Sequence, residues 1–506
     1  MRTRLFRSAL LLAAGLAACA APAAAIDEVV VELPLLENTL TVNLSELSDP
    51  AALLQGNSDL AELDRASNGE LGRKLLRLFN QPVPVSFRQL AESSVGSPLL
   101  EQTLLLVSSF GTVEGESPDL SGAALKAALE KASAASPDGQ PTLLQLMQAI
   151  PGERVRLNLS QAQIVLARML RQRRQADQLM ASATPAPAAP AAPAAATVQL
   201  NRVQLAVPHR SEPLELVVLT PGTGGNGRLV VISHGLWDSP ASFEGWGRQL
   251  ARRGYTVVMP RHPGSDNRQQ HEVLSGQAPP PSPSELGLRA RDISAINDAV
   301  AKDSLAGVSG VDASRVVVIG HSWGATTALQ LAGLRPEDSS LQARCNNVDD
   351  PDRNLSWTLQ CSWVSAVDQA AIDDPRVIAV AAVSPPVSLL FPKGSSNGMS
   401  GRVLLVSGTH DWVVPPDPEA VDPFRQAAAM GNQLVLVQGG DHFNLRPGAA
   451  ADGGVLAPLL LQWTDTAFQA GAAVKPASGA PPLLAPGAWG SSSKPMADVT
   501  PRIRAQ

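Results

Sequence analysis

The chain has 506 residues, 44% of them hydrophobic and 17% charged, with 42 Pro and 40 Gly; that length exceeds one ordinary core and predicts two or more domains. A formal net charge of −6 excludes the basic footprint of a nucleic-acid-binding protein. The 3 Cys do not make the paired Cys and His spacings of a zinc site, so no metal is expected.

Residues 1–25 read as an export leader. Arg2, Arg4 and Arg7 form a positive start, Ala9–Ala18 is an apolar stretch too short to span a bilayer, and "APAAA" offers an Ala-x-Ala cleavage site ending at Ala25. "LAAC" (Leu16–Cys19) competes with it as a lipobox, in which Cys19 is lipidated and becomes the mature N-terminus. Either route places the chain in the periplasm, the medium or the envelope, and the second anchors it to a membrane. Either route also leaves Cys345 and Cys361 as the remaining thiols, which are expected to pair in an oxidising compartment.

Residues 26–180 read as a mostly helical domain. "SFRQ" (Ser86–Gln89) and "SQAQ" (Ser160–Gln163) have the capping-box pattern. In the second stretch Ile164, Leu166, Met169 and Leu170 fall near helical spacing, and Arg171, Arg173 and Arg174 follow. The arginines read as a solvated face, with lipid headgroups as the alternative. Residues 181–197, "ASATPAPAAPAAPAAAT", read as an extended Pro/Ala linker.

From residue 198 to 470 the pattern changes to short β-rich runs: 198–207, 214–219, 228–233, 255–260, 315–320, 376–384, 402–408 and 433–439. Helical stretches such as 241–253, 285–303 and 322–334 separate many of them. Continuous apolar strands alternating with helices predict an α/β fold, a doubly wound and mostly parallel sheet covered on both faces. Residues 336–375 form an insertion that carries both late cysteines and predicts a cap or side flap. Residues 471–506 read as a disordered tail.

The pattern G-x-S-x-G occurs twice. "GSSNG" around Ser396 sits in a polar loop ahead of a strand; "GHSWG" around Ser322 follows a strand and opens a helix. Only the second has the context of a nucleophile held on a sharp strand-to-helix turn. The chain has 7 His, and a base must reach the serine from a loop after a late strand. His442, closing "VLVQGGDHFNL", fits; Asp411, just past a strand end in "VLLVSGTHDWVVPP", is the expected acid, with Asp417 and Asp441 as alternatives. The expected oxyanion donors are the backbone amides of Trp323 and Leu236, with Trp237 as the alternative to Leu236. Trp237 and Trp412 are candidates for an apolar substrate pocket. Trp246, Trp357 and Trp363 read as core.

Residues 198–470 resemble α/β-hydrolases, and within them the bacterial group of platelet-activating-factor acetylhydrolase-like and dienelactone-hydrolase-like proteins. The matching pieces are "SHG" (233–235), "RHPGSD" (261–266), "RARDI" (289–293), "GHSWGA" (320–325), "SGTHDWVVPP" (407–416) and "GGDHFNL" (439–445). Residues 26–180 are similar to an uncharacterised helical domain found ahead of such hydrolases. The resemblance implies ester hydrolysis by Ser322, Asp411 and His442 without a cofactor, on a small-molecule or lipid ester. Dienelactone hydrolases carry a cysteine nucleophile where this chain has Ser322, which argues against that substrate. Many relatives continue the elbow with Gly where this chain has Ala325. The same three residues also suit amide or peptide hydrolysis, and a non-catalytic binding protein at the cell envelope is the contrasting reading. A lid over the site is one task open to the helical domain.

Overall fold

The computed structural model describes residues 26–504 apart from 34–37, 84, 115–120, 138, 191–196, 339–340, 393, 428, 448–452 and 486. The leader and Cys19 lie outside the described residues. The chain divides into two compact units: residues up to 88 with 110–161, and residues 89–109 with 162–506.

The first unit is built on a sheet that the sequence does not announce. Strands β1 (Glu28–Leu33), β2 (Asn38–Asn43), β3 (Gly111–Val113) and β4 (Arg154–Asn158) lie in the order β2-β1-β4-β3. The expected helices are present, Pro50–Gln55, Asp59–Ala66, Glu70–Phe79, Gly122–Ala135 and Leu143–Ala149 among them, and the sheet is an addition to them. These strands are short and interleave apolar with charged residues, which pair across the sheet: Arg154 with Glu114 at 3.2 Å and Arg156 with Glu32 at 3.5 Å. Val29, Leu44, Leu53, Leu60 and Leu76 form the core beneath.

The second unit holds nine strands in the order β13-β12-β11-β10-β9-β7-β8-β6-β5. In chain order they are β5 (Val198–Leu205), β6 (Leu214–Pro221), β7 (Arg228–Ser233), β8 (Thr256–Pro260), β9 (Asp312–His321), β10 (Val377–Val383), β11 (Arg402–Gly408), β12 (Gln433–Val437) and β13 (Met496–Asp498). From β8 through β12 neighbouring strands are parallel; β5, β6 and β13 run antiparallel at the edges. Alternate residues of one strand enter opposite faces. Leu229, Val231, Val316 and Val318 pack with helices Glu285–Ala301 and Trp323–Leu331, while Val230, Ile232, Val317 and Ile319 pack with helices Glu244–Arg252 and Ala457–Gln469. β7 and β9 are therefore buried on both sides, which explains their unbroken apolar runs.

The insertion folds into helices Leu341–Asn346 and Ser356–Ser362 joined by the Cys345–Cys361 disulfide. The Glu419 carboxylate, fully buried, accepts from Ser356 Oγ at 2.7 Å, Asn354 Nδ2 at 2.9 Å and the amides of Val387 and Ser388 at 2.8 Å each. That one carboxylate ties the insertion to the loop after β10. Helix Pro98–Ser108 packs on Ser356–Ser362, and Arg168, in helix Leu159–Ala181, donates to the Arg353 carbonyl at 2.8 Å. Residues 89–109 and 162–181 thus join this unit rather than the preceding one, so the contacts divide the chain elsewhere than at the Pro/Ala run. Helix Leu159–Ala181 is capped by Asn158, whose Oδ1 accepts from the Gln161 amide at 3.1 Å, two residues ahead of the capping box read from sequence.

The tail expected to be disordered is folded. Its Pro- and Gly-rich composition hides a few apolar residues at useful places: Leu484, Trp489, Met496, Val499 and Ile503 are all buried. β13 pairs antiparallel with β12, and the Gly490 amide donates to Pro187 of the Pro/Ala run at 2.8 Å.

Candidate active site

β7 is the central strand from which the chain turns first to β8 on one side and then to β9 on the other. Open α/β sheets form their binding crevice at such a reversal, beyond the strand ends. β9 stops at His321 and a helix begins at Trp323, leaving Ser322 alone to make the corner. Its backbone takes φ 54° and ψ −126°, a conformation that side chains rarely adopt. The turn is possible because both flanks lack a side chain. A Cβ on Gly320 would strike the Gly324 carbonyl, and one on Gly324 would strike the Ser233 carbonyl. By contrast Ser396 is buried in a 3₁₀ turn, Ser395–Gly398, that leads to β11.

His442 lies in the loop after β12, and Asp411 lies just past β11. The two meet: His442 Nδ1 stands 3.0 Å from Asp411 Oδ2. The other carboxylate oxygen of Asp411 accepts the amides of Val413 at 3.0 Å and Val414 at 2.8 Å, which fixes the acid. Assigned from that partner, Nδ1 carries the proton and Nε2 is left as the base. His442 also packs on the residue before the serine. Its ring lies 4.7 Å from that of His321, and its carbonyl accepts from His321 Nε2 at 2.9 Å. Burial, and then the charge of His442, pushes His321 well below the usual imidazole range, so it serves as a neutral donor. The Ser322 hydroxyl and His442 Nε2 do not hydrogen-bond to each other; catalytic contacts of this kind commonly tighten only in the Michaelis or transition-state complex. The alternatives to Asp411 are occupied elsewhere. Asp441 Oδ1 accepts the amides of Phe443 and Asn444 at 2.8 and 2.7 Å, and Asp417 opens a π-turn, Asp417–Val421.

Two amides point to an oxyanion site. That of Trp323 belongs to the first helical turn, where amides have no intrahelical partner. That of Leu236 makes no backbone hydrogen bond, whereas the amide of Trp237 is spent on the Ser265 carbonyl at 2.8 Å. Leu236 therefore suits the second donor better than Trp237.

Residues 229–453 match the model of the alpha/beta hydrolase family, and residues 24–158 match that of a family described as alpha/beta hydrolase of unknown function. The chain has the α/β-hydrolase fold. No curated protein matches it. The fold points to hydrolysis as the class of chemistry.

Around the Ser322 corner the tryptophans separate. Trp412 is half exposed, its ring 6.5 Å from that of the half-exposed Phe443, which in turn sits edge-on to His442 at 5.6 Å. Trp237 instead donates through Nε1 to Gln269 at 2.7 Å. The indole of Trp323 is fully buried in the core against Trp363, their ring centroids 4.8 Å apart. Trp246, Trp357 and Trp363 are core, as expected.

The sequence reading missed a second set of polar residues behind the corner. His262 Nδ1 lies 2.8 Å from Asp292 and its Nε2 lies 2.9 Å from Ser233 Oγ, with all three residues fully buried. Burial, and then the nearby Arg289 guanidinium, pushes His262 down to about 4, so it is neutral at ordinary pH. Burial works to raise Asp292, but hydrogen bonds from His209, His262 and Arg210 overcome it and hold the carboxyl well below the ordinary range. The signal was present in the sequence as the pieces "SHG", "RHPGSD" and "RARDI", which three distant segments contribute; nothing in any one of them says that they meet.

Proposed function

We propose that the chain is an exported serine hydrolase of carboxylic esters, with Ser322 as nucleophile, His442 as base and Asp411 as the acid that orients it. The observation that carries this reading is the pairing of a strained Ser322 corner with a His442–Asp411 dyad at 3.0 Å, packed on the neighbouring residue. Ser322 Oγ attacks the ester carbonyl while His442 Nε2 takes its proton. Asp411 holds the Nδ1–H tautomer and stabilises the imidazolium. The amides of Trp323 and Leu236 receive the oxyanion; one such donor is worth about 3 kcal/mol. His442 then protonates the departing alcohol, and water repeats the sequence on the acyl-enzyme, returning the acid and free Ser322.

The half-exposed Trp412 and Phe443 beside the base favour an apolar acyl or aromatic group, as in a lipid, a short acyl ester or a polyester. They support the acetylhydrolase-like side of the resemblance over strongly polar substrates. The Cys345–Cys361 disulfide supports export, since such bonds persist in oxidising compartments.

A fluorophosphonate probe and short p-nitrophenyl esters test the proposal together. Labelling at Ser322 and loss of turnover in folded Ser322→Ala protein are the expected results. Turnover that survives in Ser322→Ala would defeat it. Rate against acyl length then separates short-ester from lipid use.

A further inference from the structure

Behind the proposed oxyanion site lies a buried chain of hydrogen bonds with no catalytic task of its own. Asp292, on helix Glu285–Ala301, pairs with Arg210 Nη2 at 2.7 Å and accepts His262 Nδ1–H at 2.8 Å. His262 Nε2, thereby left unprotonated, accepts the hydroxyl of Ser233 at 2.9 Å. The His262 amide donates to His234 Nε2 at 3.1 Å, and His234 Nδ1–H donates to the Gly235 carbonyl at 2.7 Å. Ser233, His234 and Gly235 are the three residues immediately before Leu236. Arg289 completes the arrangement. Its guanidinium donates to the His234 carbonyl and lies 4.8 Å over the indole of Trp323. One side chain thus touches both segments that would supply oxyanion donors.

Apolar residues of the same size would fill this space with less desolvation cost. A hydrogen-bonded polar network instead selects one geometry; this one ends on the Leu236 loop, with Arg289 Nε and Nη1 buried and without a hydrogen-bond partner. Composition alone would suggest a second Ser–His–Asp catalytic set, but Ser233, His262 and Asp292 are all fully buried and no substrate reaches them.

We propose that Ser233, His262, Asp292 and Arg289 are positioning residues that fix the Leu236 and Trp323 amides for the oxyanion. The inference rests on the hydrolase reading above. Its test is Ser233→Ala, with active sites counted by fluorophosphonate titration of Ser322 so that only folded, competent protein is scored. Per titrated site, kcat should fall about 10²-fold while KM stays within about twofold. Affinity for a trifluoromethyl ketone, whose adduct places an oxyanion between the two amides, should fall in parallel. Ser233→Thr, which keeps the hydroxyl, should restore both. If Ser233→Ala does not fold, Arg289→Met is measured in the same way. An unchanged kcat per site with a lowered melting temperature would overturn the inference, since the network would then serve stability alone. Wild-type protein that neither labels at Ser322 nor turns over esters would instead defeat the hydrolase reading, a distinguishable failure.

Discussion

His442 and His262 each hold a carboxylate at Nδ1, Asp411 at 3.0 Å and Asp292 at 2.8 Å, yet their surroundings are opposed. His262 is sealed among polar partners, and its Nε2 is engaged by a serine in the middle of a regular strand end. His442 leaves its Nε2 unengaged, beside a serine whose backbone is forced into a positive φ of 54°. The same three residue types are therefore sealed in one place and, in the proposed reading, used for nucleophilic chemistry in the other. The difference lies in the backbone that carries the serine and in the open face of the imidazole. Composition and pairing distance do not separate the two sets.

The comparison breaks most visibly at the serines. Ser322→Ala should cost about 10⁴-fold or more in kcat/KM on p-nitrophenyl esters, far beyond the effect expected of Ser233→Ala. The acids sharpen it next. Asp411→Asn should cost about 10⁴-fold in kcat with the fold retained. Asp292→Asn should lower stability by about 3–5 kcal/mol, because Arg210 then keeps only Glu285 as a carboxylate partner, and should also cut kcat by about 10²-fold, as Ser233→Ala does; urea denaturation of the two variants separates the acid that costs stability from the one that does not. Removing the disulfide by Cys345→Ser with Cys361→Ser should lower stability by about 3 kcal/mol, and a thiol count on denatured, unreduced wild-type protein should find neither sulfur free.

The smallest effect belongs to Asp417, which stands near the proposed acid without touching its partner. Burial, and then the charge of Asp422, pushes its carboxyl up to about 6 from 3.8. The folded state therefore binds a proton that the unfolded state has released between those values, and stability falls as pH rises through that window. Asp417→Asn should raise the melting temperature at about pH 7.5 and leave it nearly unchanged at about pH 3.5.

The parallel sheet and the corner were legible because each depends on local pattern. Eight apolar runs gave eight strands, and Gly320 and Gly324 can be explained by the turn they permit. The place of Asp411 just past a strand end favours it over Asp417 and Asp441, and it is the one whose carboxylate lies 3.0 Å from His442 Nδ1. The first unit's strands were not legible, because Glu28, Glu32, Arg154 and Arg156 interrupt the apolar period with ion pairs that exist only after folding. The tail misled for the opposite reason. Its composition is that of a linker, and its order comes from scattered anchors such as Trp489 and Met496 finding partners formed much earlier in the chain.

That tail has a practical consequence. β13 covers the outer rim of β12, the Gln438 amide donates to Pro495 at 2.9 Å, and Lys494 Nζ caps the Gly439 carbonyl at 2.8 Å, three residues before His442. The last few dozen residues thus act as a clasp on the strand that delivers the imidazole. Trimming them as dispensable sequence would bare a flat row of unpaired amides and carbonyls, an invitation to edge-to-edge association, and would slacken the loop on which turnover is proposed to depend. A purification handle is accordingly better placed away from residues 494–504 than in exchange for them.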